Sequence, residues 1–169
     1  IIPSVGLQYW YSSAWHDILN QSSGIPHVND GSADWIVPDV KSSDALVKVY
    51  DIGDTSVKGE SLNVFDMKPR IVFEVGDEPL GGEIYLYATP QDISWTTYGP
   101  VTNVDVEYSK DGMLTWETPK IAADLPNIDT HPWAIPDTVS DDCYIRVSDS
   151  SEPTETNDLS GKFRIRSLI

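Results

Sequence analysis

The chain has 169 residues, 40% of them hydrophobic and 10% aromatic, and carries 27 acidic against 11 basic side chains for a formal net charge of −16. That charge repels nucleic acid and anionic membrane surfaces, so neither is expected as a partner, and no apolar run is long enough for a membrane-inserted helix. A single cysteine, Cys143, excludes an internal disulfide framework and the Cys-rich zinc patterns.

Pro, Gly, Ser, Thr, Asp and Asn are plentiful and Leu-, Glu- and Lys-rich runs are missing, which predicts an all-β chain of short strands joined by turns. The start shows no charged-then-apolar leader pattern, so the sequence reads as mature or as cut from something longer. VGLQY (Val5–Tyr9) is the first predicted strand and runs into the triplet Tyr9-Trp10-Tyr11. A strand puts Tyr9 and Tyr11 on one face and Trp10 on the other. Exposed aromatic faces stack on sugars, which makes Trp10 the candidate ligand-binding residue and glycans a candidate partner. Asn20–Ser22 (NQS) has the form of a glycosylation sequon, and Asn29–Gly31 (NDG) is a turn signal. WIVPD (Trp35–Asp39) precedes ALVKVYD (Ala45–Asp51), whose alternation turns Ala45, Val47 and Val49 inward. A short apolar strand at Leu62–Phe65 closes this part. MKPR then breaks the pattern and places a linker over Asp66–Arg70, dividing the chain into domains 1–69 and 70–169.

The second part opens with IVFEV (Ile71–Val75), EIYLYA (Glu83–Ala88) and DISWTT (Asp92–Thr97). NVDVEYS (Asn103–Ser109) alternates cleanly, with Val104, Val106 and Tyr108 inward and Asp105 and Glu107 toward water. After the turn SKDG (Ser109–Gly112) come Trp116, WAIPD (Trp133–Asp137), CYIRVSD (Cys143–Asp149) and a closing strand at Phe163–Ile165.

Trp35–Asp51 lies on Trp133–Asp149 at a spacing of 98 residues without a gap, and seven of the 17 positions are identical. Val5–Tyr9 answers Val104–Tyr108, and Trp15 answers Trp116. A period near 100 residues fits one immunoglobulin-type sandwich per unit. Trp15, Trp35, Trp116 and Trp133 are then expected to fill the space between two sheets. Pro38 and Pro136 end or bend an edge strand, and Asp39 and Asp137 close an Asx-type turn. Cys143 stands where the first unit has Ala45 and reads as a small core residue. The first unit starts near the counterpart of residue 99 or 100 and so lacks its opening strands. A longer array, strands donated by another chain, or a smaller rearranged sheet would each account for that.

His16, His27 and His131 sit in no metalloprotease or phosphate-loop pattern, and no GxSxG elbow is present, so no enzyme activity is expected. Between Asp137 and Asp158 there are seven acids and one base, Arg146. Hard cations take several oxygen ligands, which makes Ca²⁺ the candidate cofactor and Asp141, Asp142 and Asp149 its candidate ligands.

ISWTTYGPVTNVDVEYSKDGMLTWE followed by WAIPD, CYIRVSD and KFRI resembles the immunoglobulin-like repeat related to yeast cell-wall Kre/Knh-type proteins. In bacteria that repeat occurs in large secreted, cell-surface and surface-layer proteins, often in tandem. The resemblance covers residues 92–165 well and residues 5–65 in part. SKDGMLTW lacks the second glycine usual after the turn, and Ser12–Ala14 lacks the DG turn altogether. The resemblance implies two tandem immunoglobulin-like (fibronectin-III-like) β-sandwich domains in a non-enzymatic structural module. Its expected setting is the extracellular cell surface, as a surface-layer or cell-envelope unit or stalk. Its expected partners are other copies or other domains of the same surface protein. A carbohydrate-binding or adhesion module, or accessory domains of a secreted enzyme, is the alternative.

Overall fold

The computed structural model describes residues 2–19 and 26–167. The NQS triplet at Asn20–Ser22 lies outside them. No helix occurs among the described residues, which form sixteen strands, and the chain divides into two compact units, Ile1–Lys68 and Pro69–Ile169. The all-β expectation holds.

The first unit has six strands: β1 (Ser4–Tyr11), β2 (Ala14–Asp17), β3 (His27–Val28), β4 (Ser42–Asp51), β5 (Lys58–Glu60) and β6 (Phe65–Met67). They make one sheet in the order β2-β1-β4-β5, with β3 also on β1 and β6 on β4. The β1–β2 hairpin turns through Ser12 and Ser13, at φ 50° and 64°. Two left-handed residues between antiparallel strands make a tight turn whose twist suits the pair, so two serines stand in for the missing DG.

The second unit has ten: β7 (Arg70–Val72), β8 (Ile84–Leu86), β9 (Pro90–Ser94), β10 (Thr96–Tyr98), β11 (Asn103–Ser109), β12 (Ala122–Pro126), β13 (Thr130–Ala134), β14 (Ser140–Asp149), β15 (Asn157–Leu159) and β16 (Phe163–Arg166). The main sheet runs β12-β11-β14-β16-β8, with β15 on β14, and the pairs β10-β7 and β13-β9 complete the unit. Side chains from both sets meet in one core. Ile71, Ile93, Trp95 and Trp133 pack with Val104, Val106, Cys143, Ile145, Val147 and Phe163. This is the sandwich, a sheet whose apolar face is closed by further strands.

The two units share a register. Tyr9 faces Val47 and Leu7 faces Val49, as Tyr108 faces Ile145 and Val106 faces Val147. Asp51 Oδ1 accepts the amide of Gly53 at 2.8 Å, as Asp149 Oδ1 accepts that of Ser151 at 2.8 Å. Among the described residues the first unit has no counterpart of β7, β8, β9 or β10 and is the sandwich without its opening strands. Burial records the difference. Val147 is 0% exposed and its counterpart Val49 39%.

Candidate functional site

On the inner face of the second unit, the ring of Tyr108 lies 5.2 Å from that of Trp133, and Phe163 lies 6.0 Å from Trp133. All three are buried. The first unit has the same trio. Tyr9 lies 5.3 Å from Trp35, and Trp35 lies 6.3 Å from Phe65, with His16 stacked on Tyr9 at 5.2 Å. Here Trp35 is only half-buried, because no second sheet lies over it. Cys143 is fully buried, 3.4 Å from the Tyr108 hydroxyl. Burial first, and then that contact, push the Tyr108 phenol well above its ordinary range.

The WxxPD corner differs from the sequence reading in one detail. The amide of Thr138 donates to the carbonyl of Pro136 at 2.8 Å, and that of Val40 to the carbonyl of Pro38 at 2.8 Å. Each corner is closed by the main chain around Asp137 or Asp39, in place of the expected bond to the aspartate side chain.

Trp116 and Trp15 do not fill the space between sheets. The Arg146 guanidinium lies 4.2 Å from the ring centre of Trp116, and the Lys48 ammonium 4.2 Å from that of Trp15. Both cations stand on the face of the central strand opposite the core. The chain thus repeats a cation–π pair on its outer surface, and the Lys48/Arg146 match was its sequence trace. Glu107 is also not solvated. It is buried, and its Oε2 accepts Arg146 Nε and Nη2 at 2.8 and 2.6 Å, with Lys120 Nζ 3.6 Å from Oε1. Beside it, Asp105 accepts Lys120 Nζ at 2.7 Å, the Asp124 amide at 2.8 Å and Ser150 Oγ at 3.0 Å. Burial works against the Asp105 anion, and the three donors outweigh it, so the carboxyl sits below its ordinary range. In the first unit Gly6 replaces Asp105, and the ring of Tyr50 occupies the space a side chain there would need. Trp10 lies on this outer face, its ring edge-on to Trp15 at 5.5 Å.

The calcium candidates are not brought together. Asp141 pairs with Arg166 and, at 3.6 Å, with Arg164, and Asp142 pairs with Lys162 at 2.8 Å. Arg166 beside Asp141 holds its carboxyl below the usual range. Asp149 lies roughly 25 Å farther along the same strand and holds the amide and hydroxyl of Ser151. Among the described residues no group of three or more His, Cys, Asp or Glu side chains could hold a metal ion. Counting one base among seven acids overlooked β16. Its pairing with β14 sets Lys162, Arg164 and Arg166 beside the acids.

One feature of interest lay outside the sequence candidates. In the second unit Trp95 is buried, and its indole N–H donates to Asn127 Oδ1 at 3.0 Å. Asn127 Nδ2 in turn donates to the carbonyl of Val101 at 3.2 Å. Asn29 stands 98 residues earlier and repeats that anchor, its Nδ2 donating to the carbonyl of Ile2 at 2.9 Å. The main chain agrees, since Asn29 N donates to Pro3 O at 3.1 Å as Asn127 N does to Thr102 O at 2.9 Å. Gly31 (φ 96°) and Asp129 (φ 61°) are both left-handed. A pocket of about 280 Å³ adjoins Asn29, lined also by Val5, Leu7, Val28, Ala33 and Val49. The repeated asparagine was visible in the sequence. What it holds was not.

No family model matches the chain, and no curated protein matches it. Among solved structures it is similar to the fibronectin(III)-like modules of Clostridium thermocellum CbhA, at 12% identity and a TM-score of 0.42, over 98% of this chain and 80% of that one. So distant a likeness carries no argument about function, and the description of the fold rests on strand order and register.

Proposed function

We propose that the chain is a non-enzymatic structural segment, two immunoglobulin-like modules of a larger extracellular protein of the surface-layer, cell-envelope or stalk type. The observation that carries this reading is the fate of the repeated residues. Trp133 and Tyr108 go to the core, Pro136 to a corner, Asp149 to a turn, and Arg146 and Trp116 to a surface pair. The corresponding residues of the first unit take the same places in the framework, with Trp35 and Tyr9 half-buried where Trp133 and Tyr108 are buried. A repeat conserved for ligand chemistry would converge its polar groups on a cavity, whereas this one distributes them along the framework. The acidic surface and the resemblance to Kre/Knh-type tandem repeats favour the cell exterior, with other copies or other domains of the parent as partners. Immunogold labelling of intact source cells with antibodies to this chain tests it. Surface labelling in a regular array is the expected outcome, and labelling only after permeabilisation overturns it.

The carbohydrate-binding alternative is favoured by a different observation. Trp10, Trp15 and Tyr50 share the outer face of the first unit and are each half-buried. A glycan array on which Trp10→Ala abolishes binding would establish it, and an array without hits would end it.

A further inference from the structure

We propose that the pocket on the inner face of the first unit is the seat of a tryptophan side chain, carried by an extended strand that pairs with residues 32–36 as β9 pairs with β13. The occupant is a peptide segment of stated chemistry, an extended run with alternate apolar residues and one indole.

The second unit supplies the template. Its β9 lies antiparallel to β13, with Ser94 opposite Thr130 and Pro90 opposite Ala134. The ladder continues where Trp95 N donates to Asp129 O at 3.2 Å. Trp95 then buries its ring in the core that also holds Val104, Val106 and Val147 and gives its N–H to Asn127. Subtracting the repeat turns Thr130–Ala134 into Ser32–Ile36, and Asn127 into Asn29. By the shared register, Val104, Val106 and Val147 become Val5, Leu7 and Val49. Asn29, Val5, Leu7 and Val49 line the first unit's pocket, together with Val28, Ala33 and the buried His27, whose Nε2 is held by the Ile18 carbonyl at 2.7 Å.

The receptor is already shaped. Asn29 is fixed through its Nδ2 in the geometry of Asn127, which commits the same amide oxygen to the acceptor role. Gly31 gives the loop the left-handed turn that Asp129 gives in the second unit. Residues 32–36 form no strand; the Ser32 amide donates to Asp30 Oδ1 at 3.1 Å, and the segment beyond it offers its main-chain groups to a partner ladder. The pocket, at about 280 Å³, has room for one indole ring. Val28, Ile36 and Val49 are 69%, 72% and 39% exposed and would be covered by such a strand. A second copy of this chain is a poorer occupant, since its own Trp95 and Ile93 are buried at home. The inference rests on the shared register alone and is independent of the extracellular reading.

The probe is a capped synthetic peptide of residues 90–98, PQDISWTTY, titrated into the ¹⁵N-labelled full chain and followed by NMR and calorimetry. Saturable binding is expected, with amide shifts at Val5, Leu7, Val28, Asn29 and residues 32–36. Replacing the peptide's tryptophan by alanine should weaken binding about 30-fold or more, from the loss of a buried aromatic ring. Replacing it by 1-methyltryptophan, whose ring nitrogen carries a methyl group in place of the hydrogen, should weaken it about 5-fold or more. Asn29→Leu should remove the difference between the tryptophan and 1-methyltryptophan peptides, and the two peptide variants decide the matter even where that substitution disturbs the loop. Absence of binding at millimolar peptide, equal binding of the alanine peptide, or shifts confined to the outer face around Trp15 and Lys48 would overturn the proposal. So would peptide-independent dimerisation that protects Val49, which would assign the face to a second copy.

Discussion

Residues 130–134 and 32–36 occupy the same place in the repeat, and each leads into a WxxPD corner closed by the same main-chain hydrogen bond. The first segment is strand β13, paired along its length with β9. The second is not a strand at all. Intrinsic preference does not separate them, since WIV is at least as β-prone as WAI. What separates them is a partner. A strand's main-chain groups are satisfied by its neighbour, and among the described residues the first unit has no strand in the place of β9. The same absence explains why the Tyr9–Trp35–Phe65 trio keeps the geometry of Tyr108–Trp133–Phe163 but not its burial.

That contrast is open to attack, most forcefully at the paired tryptophans. Trp133→Ala should cost about 3–5 kcal/mol, because the ring is removed from a closed core, whereas Trp35→Ala should cost about 1–2 kcal/mol, because much of the ring already meets water. Urea unfolding followed through amide signals of each unit reads both, and equal costs would contradict the open face of the first unit.

The outer face offers the next comparison. Arg146→Ala strands the buried Glu107 without the guanidinium that donates twice to its Oε2 and should destabilise the second unit by about 2–3 kcal/mol. Lys48→Ala removes a cation from Trp15 where the counterpart of Glu107 is the neutral Gln8, and should cost about 0.5–1 kcal/mol. The same unfolding measurement compares them.

Acid should also distinguish the units. The folded Asp105 carboxyl is depressed, so its contribution is fully present above its unfolded value of about 4 and is lost as pH falls through the lower folded value. Gly6 provides no such group. Asp105→Asn should therefore weaken the second unit by about 1 kcal/mol at neutral pH, a figure already reduced for solvent screening. Stability measured from pH 7 to pH 2 should show the variant and the parent converging at the acid end. A constant gap across that range would mean that the loss is steric.

The last comparison concerns Gly6. A methyl group there would meet the Tyr50 ring at 2.2 Å. Tyr50 lies at the surface of an outer face and can swing away, so Gly6→Ala should cost about 1 kcal/mol and shift the Tyr50 ring resonances. Unchanged resonances would show that the ring does not rest on this glycine.

Much of this was legible in the sequence. Alternation placed Val104, Val106, Cys143, Ile145 and Val147 on one face, because side chains on a strand must alternate. The spacing of 98 residues revealed two units and the absent opening strands. The candidate site was far less legible. Glu107 looked solvated because its partner Arg146 is 39 residues away, and Asp141 and Asp142 looked like calcium ligands because the bases that neutralise them arrive on β16. Trp15 and Trp116 looked like core residues because a large aromatic ring satisfies a core and a cation–π pair equally well, and only the facing strand distinguishes the two.

The sequence by itself determined the class of fold, the inward set of each strand and the register of the repeat, all of which follow from short-range alternation and from comparing the chain with itself. Tertiary structure alone decided which copy of WxxPD becomes a strand, which acids are neutralised and which face of the first unit stays open. Those outcomes depend on what lies across a ladder or a packed face, and such neighbours are set by long-range pairing rather than by adjacent residues.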